Sequence, residues 1–215
     1  RVEELRAVIQ PQILHRKKTE VAKDLPTPVE DVVCKRLPMS DYQQGLYEGA
    51  LNALREQRDT NPSAQLQALL AIRKICSDPH GFAQSNSHEL PIERLVNESP
   101  KLGWLVGRLK ELAADKDGAH KVIVFCEFRD LQIMLQRVIA AFFGIAASIV
   151  NGDTTADPRA SENRQQLIDA FQGKPGFNVI ILSPLAVGFG VNIQAANHVI
   201  HFTRTWNPAK EDQAT

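Results

Sequence analysis

Four short polar segments hold most of the side chains that could do chemistry in this sequence. They are "EFRD" (127–130), "NGDTT" (151–155), "SPLAVGFGVN" (183–192) and "TRTWNP" (203–208), and each directly follows an apolar run. Their residue types suit phosphate. Arginine pairs with oxyanions through two donors, serine and threonine hydroxyls donate, and glycine lets backbone N–H groups come close. Metal chemistry is not suggested: the six histidines share no ligand spacing, and His198 and His201, three apart in one strand-like run, point to opposite faces. No Ser/His/Asp or Cys/His constellation can be located. The phosphate-cradling GxxxxGK followed by Ser or Thr does not occur in the chain.

None of the four segments is specific alone. Asn-Gly and Asp-Thr are ordinary turn residues, Asp130 could cap the helix that follows it, and Trp206-Asn207-Pro208 could be packing before a helix start. "GFGVNI" looks like the opening of a dinucleotide-binding GxGxxG. The third glycine position, however, is Ile193, and Val191–Asn197 is too short for the crossover helix such a motif opens. Pro208 also separates Glu211 and Asp212 from any matching strand end. An oxidoreductase of that kind is therefore not expected.

The elements that must position these segments are legible in the apolar pattern. "VIVFC" (122–126), "AASIV" (146–150), "NVIIL" (178–182) and "HVIHF" (198–202) are short, rich in β-branched residues and not alternating, which predicts strands covered on both faces. "DLQIMLQRVIAAF", with Leu131, Leu135, Val138 and Phe142 on one side, and "ENRQQLIDAF" predict the intervening helices. Strand, helix, strand, helix, strand implies a parallel sheet. In such a sheet ligands meet the loops at the carboxyl ends of the strands, where the four polar segments fall.

Ahead of this α/β region the pattern is helical. "SDYQ" spells a capping box, with Ser40 as N-cap and Gln43 reaching back, before Tyr42, Leu46, Tyr47, Ala50, Leu51 and Leu54 at spacings of three and four. A second helix runs through "QLQALLAIRKIC" and ends before Pro79, and residues 80–98 read as a polar loop. Ser99-Pro100 starts a third helix, with Leu102, Leu105, Val106, Leu109 and Leu112 on one side. Residues 1–36 read as a proline-broken connector with a short helix and a basic run at 15–18. The expected organisation is thus 1–36 connector, 37–116 helical section and 117–215 α/β lobe.

Composition narrows the class. A chain of 215 residues, 43% hydrophobic and 23% charged, can bury a sizeable core, and its formal net charge of +0 announces neither a nucleic-acid nor a membrane partner. Cys34, Cys76 and Cys126 are scattered and form no CxxC pair, so reduced thiols in a cytosolic type of compartment are expected. No apolar run approaches the roughly 20 residues of a membrane span.

The order of the segments carries a resemblance that no one of them does. "LLAIRKICSDP", "KVIVFCEFRDLQIML", "NGDTT…R…LIDAFQ" and "VIILSPLAVGFGVNIQAANHVIHFTRTWNPAKEDQAT" follow one another as in the second motor lobe of Swi/Snf-type ATPases, in helicase superfamily two. The resemblance covers nearly the whole chain. "EFRD" is similar to motif IV, "SPLAVGFGVNIQ" to motif V and "WNPAKEDQA" to the approach to motif VI, within which the sequence stops. Where many members have Thr-Arg after the motif V serine, this chain has Pro184 and Leu185, so those positions supply no hydroxyl or guanidinium to DNA; the form looks bacterial.

The resemblance implies a RecA-like three-layer lobe with a mainly parallel sheet, preceded by a helical insertion. It implies a DNA-dependent ATPase that translocates on double-stranded DNA and remodels DNA-bound complexes. ATP and Mg²⁺ would be bound mainly by a first lobe, and this lobe alone would be inactive. Carried over position by position, Arg129, Gly152, Asp153, Thr154, Ser183 and Asn192 are the expected DNA-binding residues. Gly188, Gly190 and Gln213 would face ATP, while Trp206, Asn207 and Pro208 would brace the last loop. Arg164 matches a family arginine, although a helix-surface ion pair explains it equally. Expected partners are double-stranded DNA, the protein's own first lobe, and RNA polymerase or another DNA-bound protein as the object displaced. No membrane partner is implied. The location would be cytoplasmic and nucleoid-associated in a bacterium, nuclear in a eukaryote. The alternative function is a non-catalytic docking module built on a degenerate motor lobe.

Overall fold

The computed structural model describes residues 3, 36–57, 61–83, 89–115, 118–157, 160, 163–187 and 193–206. The chain separates into two units, Arg1–Arg36 and Leu37–Thr215. In the first only Glu3, in a helix, and the exposed Arg36 are described, so the expected connector helix lies outside the described residues.

Among the described residues the second unit is built on four parallel strands, β1 (Lys121–Phe125), β2 (Ser148–Val150), β3 (Asn178–Leu182) and β4 (His198–His201), in the spatial order β2-β3-β1-β4. The two inner strands are buried at every position. Alternate residues serve different cores. Val122, Val124, Cys126, Val179 and Ile181 join one cluster, and Ile123, Phe125, Ile180 and Leu182 the other. Both faces of a strand bury apolar side chains, and so its sequence shows an unbroken apolar run. The outer strands depart from that expectation. β2 is only three residues, and β4 is an edge strand whose Val199 is 36% exposed.

Helix α6 (Arg129–Phe143) carries the chain from β1 past β3 to β2, and α7 (Arg164–Gly173) brings it back to β3. The direction of travel across the sheet reverses between these crossovers. A constant crossover hand must therefore put the two helices on opposite faces. That is the arrangement found: Leu131, Met134, Leu135, Val138 and Ile139 of α6 lie in the first core, Ile168 and Phe171 of α7 in the second. Helix α6 stops at Gly144, whose φ of 65° is the left-handed conformation glycine adopts freely. Helix α7 begins with a reciprocal capping box, in which the Asn163 side chain accepts from Gln166 N–H and the Gln166 side chain from Asn163 N–H. Its last turn receives the buried ammonium of Lys121, which donates to the Phe171 carbonyl at 3.0 Å and also to that of Lys174.

The helical section comprises α1 (Asp41–Gln57), α2 (Ala64–Ser77), α3 (Pro79–Ala83), α4 (Ile92–Glu98) and α5 (Pro100–Ala114). All five leucine and valine positions expected on the inner side of α5 are buried, in the same cluster as the strands. Two expectations need correction here. Residues 80–98 are not simply a loop, since most of α3 and all of α4 fall there. Asp78 caps α3 by accepting from Gly81 N–H at 2.8 Å, Pro79 takes the first helical position, and Leu95 of α4 enters the core at 1% exposure. One fully buried residue on a short helix gives too little period to read. The capping box at Ser40 is half formed. Ser40 Oγ accepts from Gln43 N–H at 3.1 Å, but the Gln43 amide turns inward and donates to the Ile75 carbonyl at 2.9 Å, joining α1 to α2.

Candidate functional site

The carboxyl ends of the four strands form a rim, and backbone bonds tie it together in spatial order. Ser183 N–H donates to the Val150 carbonyl and Cys126 N–H to that of Leu182, each at 2.9 Å. Phe202 N–H donates to the Phe125 carbonyl, also at 2.9 Å, and Glu127 N–H to Thr203 Oγ1 at 2.7 Å. The four polar segments singled out in the sequence all begin on this rim.

A buried amide links the first two segments. Gln132, in the first turn of α6 and 0% exposed, donates to the Cys126 carbonyl at 2.7 Å and accepts from Asn151 Nδ2 at 2.8 Å. Asn151 in turn shapes the 151–154 turn: its Oδ1 accepts from Asp153 N–H at 2.9 Å, and its N–H donates to Thr154 Oγ1 at 3.1 Å. Gly152 and Asp153 are exposed at the tip. Arg129, from the other segment, reaches across and places Nη2 2.7 Å from Asp153 Oδ1, both side chains nearly two-thirds exposed. Arg129, Gly152, Asp153 and Thr154 are thereby brought together. Asp130 does not cap α6, whose N-cap is Phe128; it pairs with Lys74 of α2 at 3.2 Å.

Ser183 follows β3 and is buried; its carbonyl accepts from Ala186 N–H as the short turn α8 (Pro184–Val187) begins. Pro184 is buried in that turn, and Leu185 is 55% exposed. Arg164 is the first residue of α7. Its Nη1 donates to the Ala186 carbonyl at 3.2 Å, so the first residue of α7 supports the turn that leads into the glycine segment. Trp206 is 60% exposed beside the Arg73 guanidinium, 4.6 Å from its ring centroid. Gly188, Gly190, Asn192, Asn207, Pro208 and Gln213 lie outside the described residues.

Two residues at this rim were not singled out by the sequence. Gln132 and Arg73 each sit on a helix surface whose period is set by apolar residues, and their role comes from loops far away in the chain. The only sequence signal is a polar residue at a helix position that faces inward.

Cys126, at the mouth of β1, is buried, and its burial pushes the thiol up to about 12. At pH 8 roughly one thiol in 10⁴ would then be ionised, which leaves it inert as a nucleophile. Native protein treated with iodoacetamide at pH 8 should keep Cys126 unmodified while denatured protein is labelled there, as read by peptide mass spectrometry. Equal labelling of both would show that the β1 loop opens. Cys76 and Cys126 are both free thiols. Among the described residues, no group of three or more His, Cys, Asp and Glu is placed to hold a metal ion, and no helix is long and apolar enough to cross a membrane.

A parallel RecA-like sheet with this rim is the fold of a Swi/Snf-type helicase C-terminal lobe. The chain belongs to the helicase conserved C-terminal domain family, which matches residues 104–215, and the SNF2-related domain matches residues 1–81. It is similar to the Sulfolobus solfataricus SWI2/SNF2 ATPase C-terminal domain, at 25% identity and TM-score 0.66, covering 80% of this chain and 72% of that one. It is also similar to the Sulfolobus solfataricus SWI2/SNF2 ATPase core solved in complex with dsDNA. There the identity is 27% and the TM-score 0.68, over 99% of this chain and 42% of the other. Among curated proteins it is 49% identical over 222 residues to the Zorya protein ZorD of Escherichia coli O139:H28 (strain E24377A / ETEC). It is 31% identical to the putative ATP-dependent helicase/translocase YwqA of Bacillus subtilis (strain 168). All of this chain is covered in both cases but only 20% and 22% of those proteins, so it spans about a fifth of their length.

Proposed function

We propose that this lobe is the second half of a DNA-dependent ATP motor that moves along double-stranded DNA and remodels complexes bound to it. The observation that carries the proposal is the Arg129–Asp153 pair at the exposed end of the rim. Two segments from different strand ends meet there around one solvent-accessible guanidinium. A guanidinium so placed can exchange its carboxylate partner for a backbone phosphate, which neutralises charge without reading sequence.

Asp153 itself would repel a phosphate, so its part is to orient Arg129 in the absence of DNA. Gly152 at the turn tip, Thr154 behind it, Ser183 and Asn192 complete the proposed grip. Similarity to a core solved with dsDNA supports the same assignment. Gly188, Gly190 and Gln213 would face the nucleotide. ATP and Mg²⁺ would be held mainly by a first lobe, and when bound they supply the phosphoryl group and its charge neutralisation. The neighbouring residues of this lobe would bind and orient. The object displaced is a DNA-bound protein, with RNA polymerase one candidate. Residues 1–36 would be the connector from the first lobe and 37–116 the helical section.

The test is ATP hydrolysis with and without double-stranded DNA, on this 215-residue chain and on a polypeptide that also contains the first lobe and the sequence beyond Thr215. The expected result is no turnover from the short chain and DNA-stimulated turnover from the long one. Silence from both would favour the docking-module reading, and hydrolysis by the short chain alone would overturn the two-lobe assignment.

A further inference from the structure

Arg73 lies in the last turns of α2, yet its side chain reaches two loops of the rim. Nη2 donates to Glu127 Oε2 at 2.6 Å, in the loop after β1, and to the Arg204 carbonyl at 2.5 Å, in the loop after β4. The same guanidinium carbon lies 5.5 Å from the Phe128 ring centroid and 4.6 Å from that of Trp206. The side chain is only 20% exposed. An ordinary surface ion pair would hold one partner, loosely. Here one guanidinium meets a carboxylate and a backbone carbonyl through Nη2 and lies beside two aromatic rings, a combination that its planar, multi-donor shape suits better than a lysine ammonium.

The chain leaving β4 is fixed as far as Thr203 by its own sheet edge. Phe202 N–H and Thr203 N–H donate to the Phe125 carbonyl at 2.9 and 3.3 Å, and Thr203 Oγ1 accepts from Glu127 N–H. Beyond Thr203, Arg73 takes hold of the chain at the Arg204 carbonyl and again at the Trp206 ring. We propose that Arg73 is a positioning residue for ATP hydrolysis. By clamping residues 204–206 against the β1 loop, it gives the segment that runs on through Asn207 to Gln213 a fixed starting point. It acts through that segment and touches no reacting atom. This rests on the reading of Gln213 as nucleotide-facing.

The test uses the full-length polypeptide with both lobes and the variants Arg73→Met, Arg73→Lys and Glu127→Gln. Arg73→Met should lower kcat at saturating DNA by about tenfold or more, normalised to the folded fraction. The KM for ATP and the half-saturating DNA concentration should move by less than about threefold, as for an interaction spent on the transition state. Arg73→Lys keeps charge and ring contact but loses the fork, so it should recover part of kcat, and Glu127→Gln should fall between it and wild type. Hydrogen exchange by mass spectrometry supplies the second arm, with faster exchange at residues 203–206 in Arg73→Met. An unchanged kcat would reduce Arg73 to packing and overturn the proposal, as would an equal loss in Lys and Met variants. If the wild-type polypeptide hydrolyses no ATP, the motor reading has failed. The exchange arm then decides the anchor alone: faster exchange supports it, and unchanged exchange at 203–206 removes it.

Discussion

Replacing Gln132 by leucine should cost the lobe about 2 kcal/mol of stability and should separate DNA stimulation from basal hydrolysis in the longer polypeptide. Gln132 is fully buried and satisfies two groups at once, the Cys126 carbonyl and the Asn151 amide. Leucine fills a similar volume but leaves the carbonyl without that donor, and an unsatisfied buried polar group costs about 1–3 kcal/mol. Asn151 is only half-buried and can turn to water, which keeps the total near the lower end.

A functional loss should accompany the thermodynamic one. Gln132 sets the spacing between the turn at 151–154 and the segment carrying Arg129. Displacement of a binding group by about 1 Å can reduce rates by roughly 10²-fold. DNA-stimulated hydrolysis should fall about tenfold or more while hydrolysis without DNA stays near wild type. A thermal melt and the two rates check both parts. Asn151→Ala should be non-additive with Gln132→Leu, because the two side chains share one bond. Full additivity, or an equal loss with and without DNA, would mean that the amide merely packs.

The second large effect is expected at Leu109. It is 0% exposed on α5 and belongs to the cluster that contains Val122, Val124, Val179 and Ile181. Leu109→Ala removes buried methyl groups and leaves a cavity, at about 3 kcal/mol. For a unit of this size that lowers Tm by roughly 6–12 °C. The transition should remain single, since α5 and the sheet bury one another. Calorimetry or circular dichroism of the 215-residue chain reads both outcomes. If the helical section folded apart from the sheet, the substitution would split the melt or leave the strand signal in place.

These two residues also mark the line between what pattern shows and what it hides. The α5 stripe Leu102, Leu105, Val106, Leu109 and Leu112 was readable as an inner helix face because burial repeats every three to four residues. β1 and β3 were readable because a strand buried on both sides is apolar throughout. The start of α5 at Pro100 followed from the local conformational preference of proline. α3 and α4 did not stand out, since in a five-residue and a seven-residue helix only Pro79, His80 and Leu95 are buried, too few to set an apolar period.

The rim shows the same division. The positions of the four segments in the chain, and the types of side chain in them, were fixed by sequence order and by the rule that a parallel sheet gathers its loops at one end. Which side chains meet was not. The Gln43 side chain pairs with the Ile75 carbonyl rather than the Ser40 N–H, Asp130 with Lys74 rather than the helix end, and Arg164 with the Ala186 carbonyl. In each case the fold supplied a partner distant in the chain: the Gln43 bond is buried, the Arg164 bond half-buried and the Asp130 pair exposed. The sequence alone determined the strands and the longer helices, their order and the end of the sheet where the four polar segments gather, because helix and strand periods and the hand of crossovers act over short stretches. Only the tertiary structure decided that Gln132 joins the loops after β1 and β2 and that Arg73 bonds the loops after β1 and β4. Those bonds span 6, 19, 54 and 131 residues, and their partners are chosen by which helix faces the folded sheet brings together.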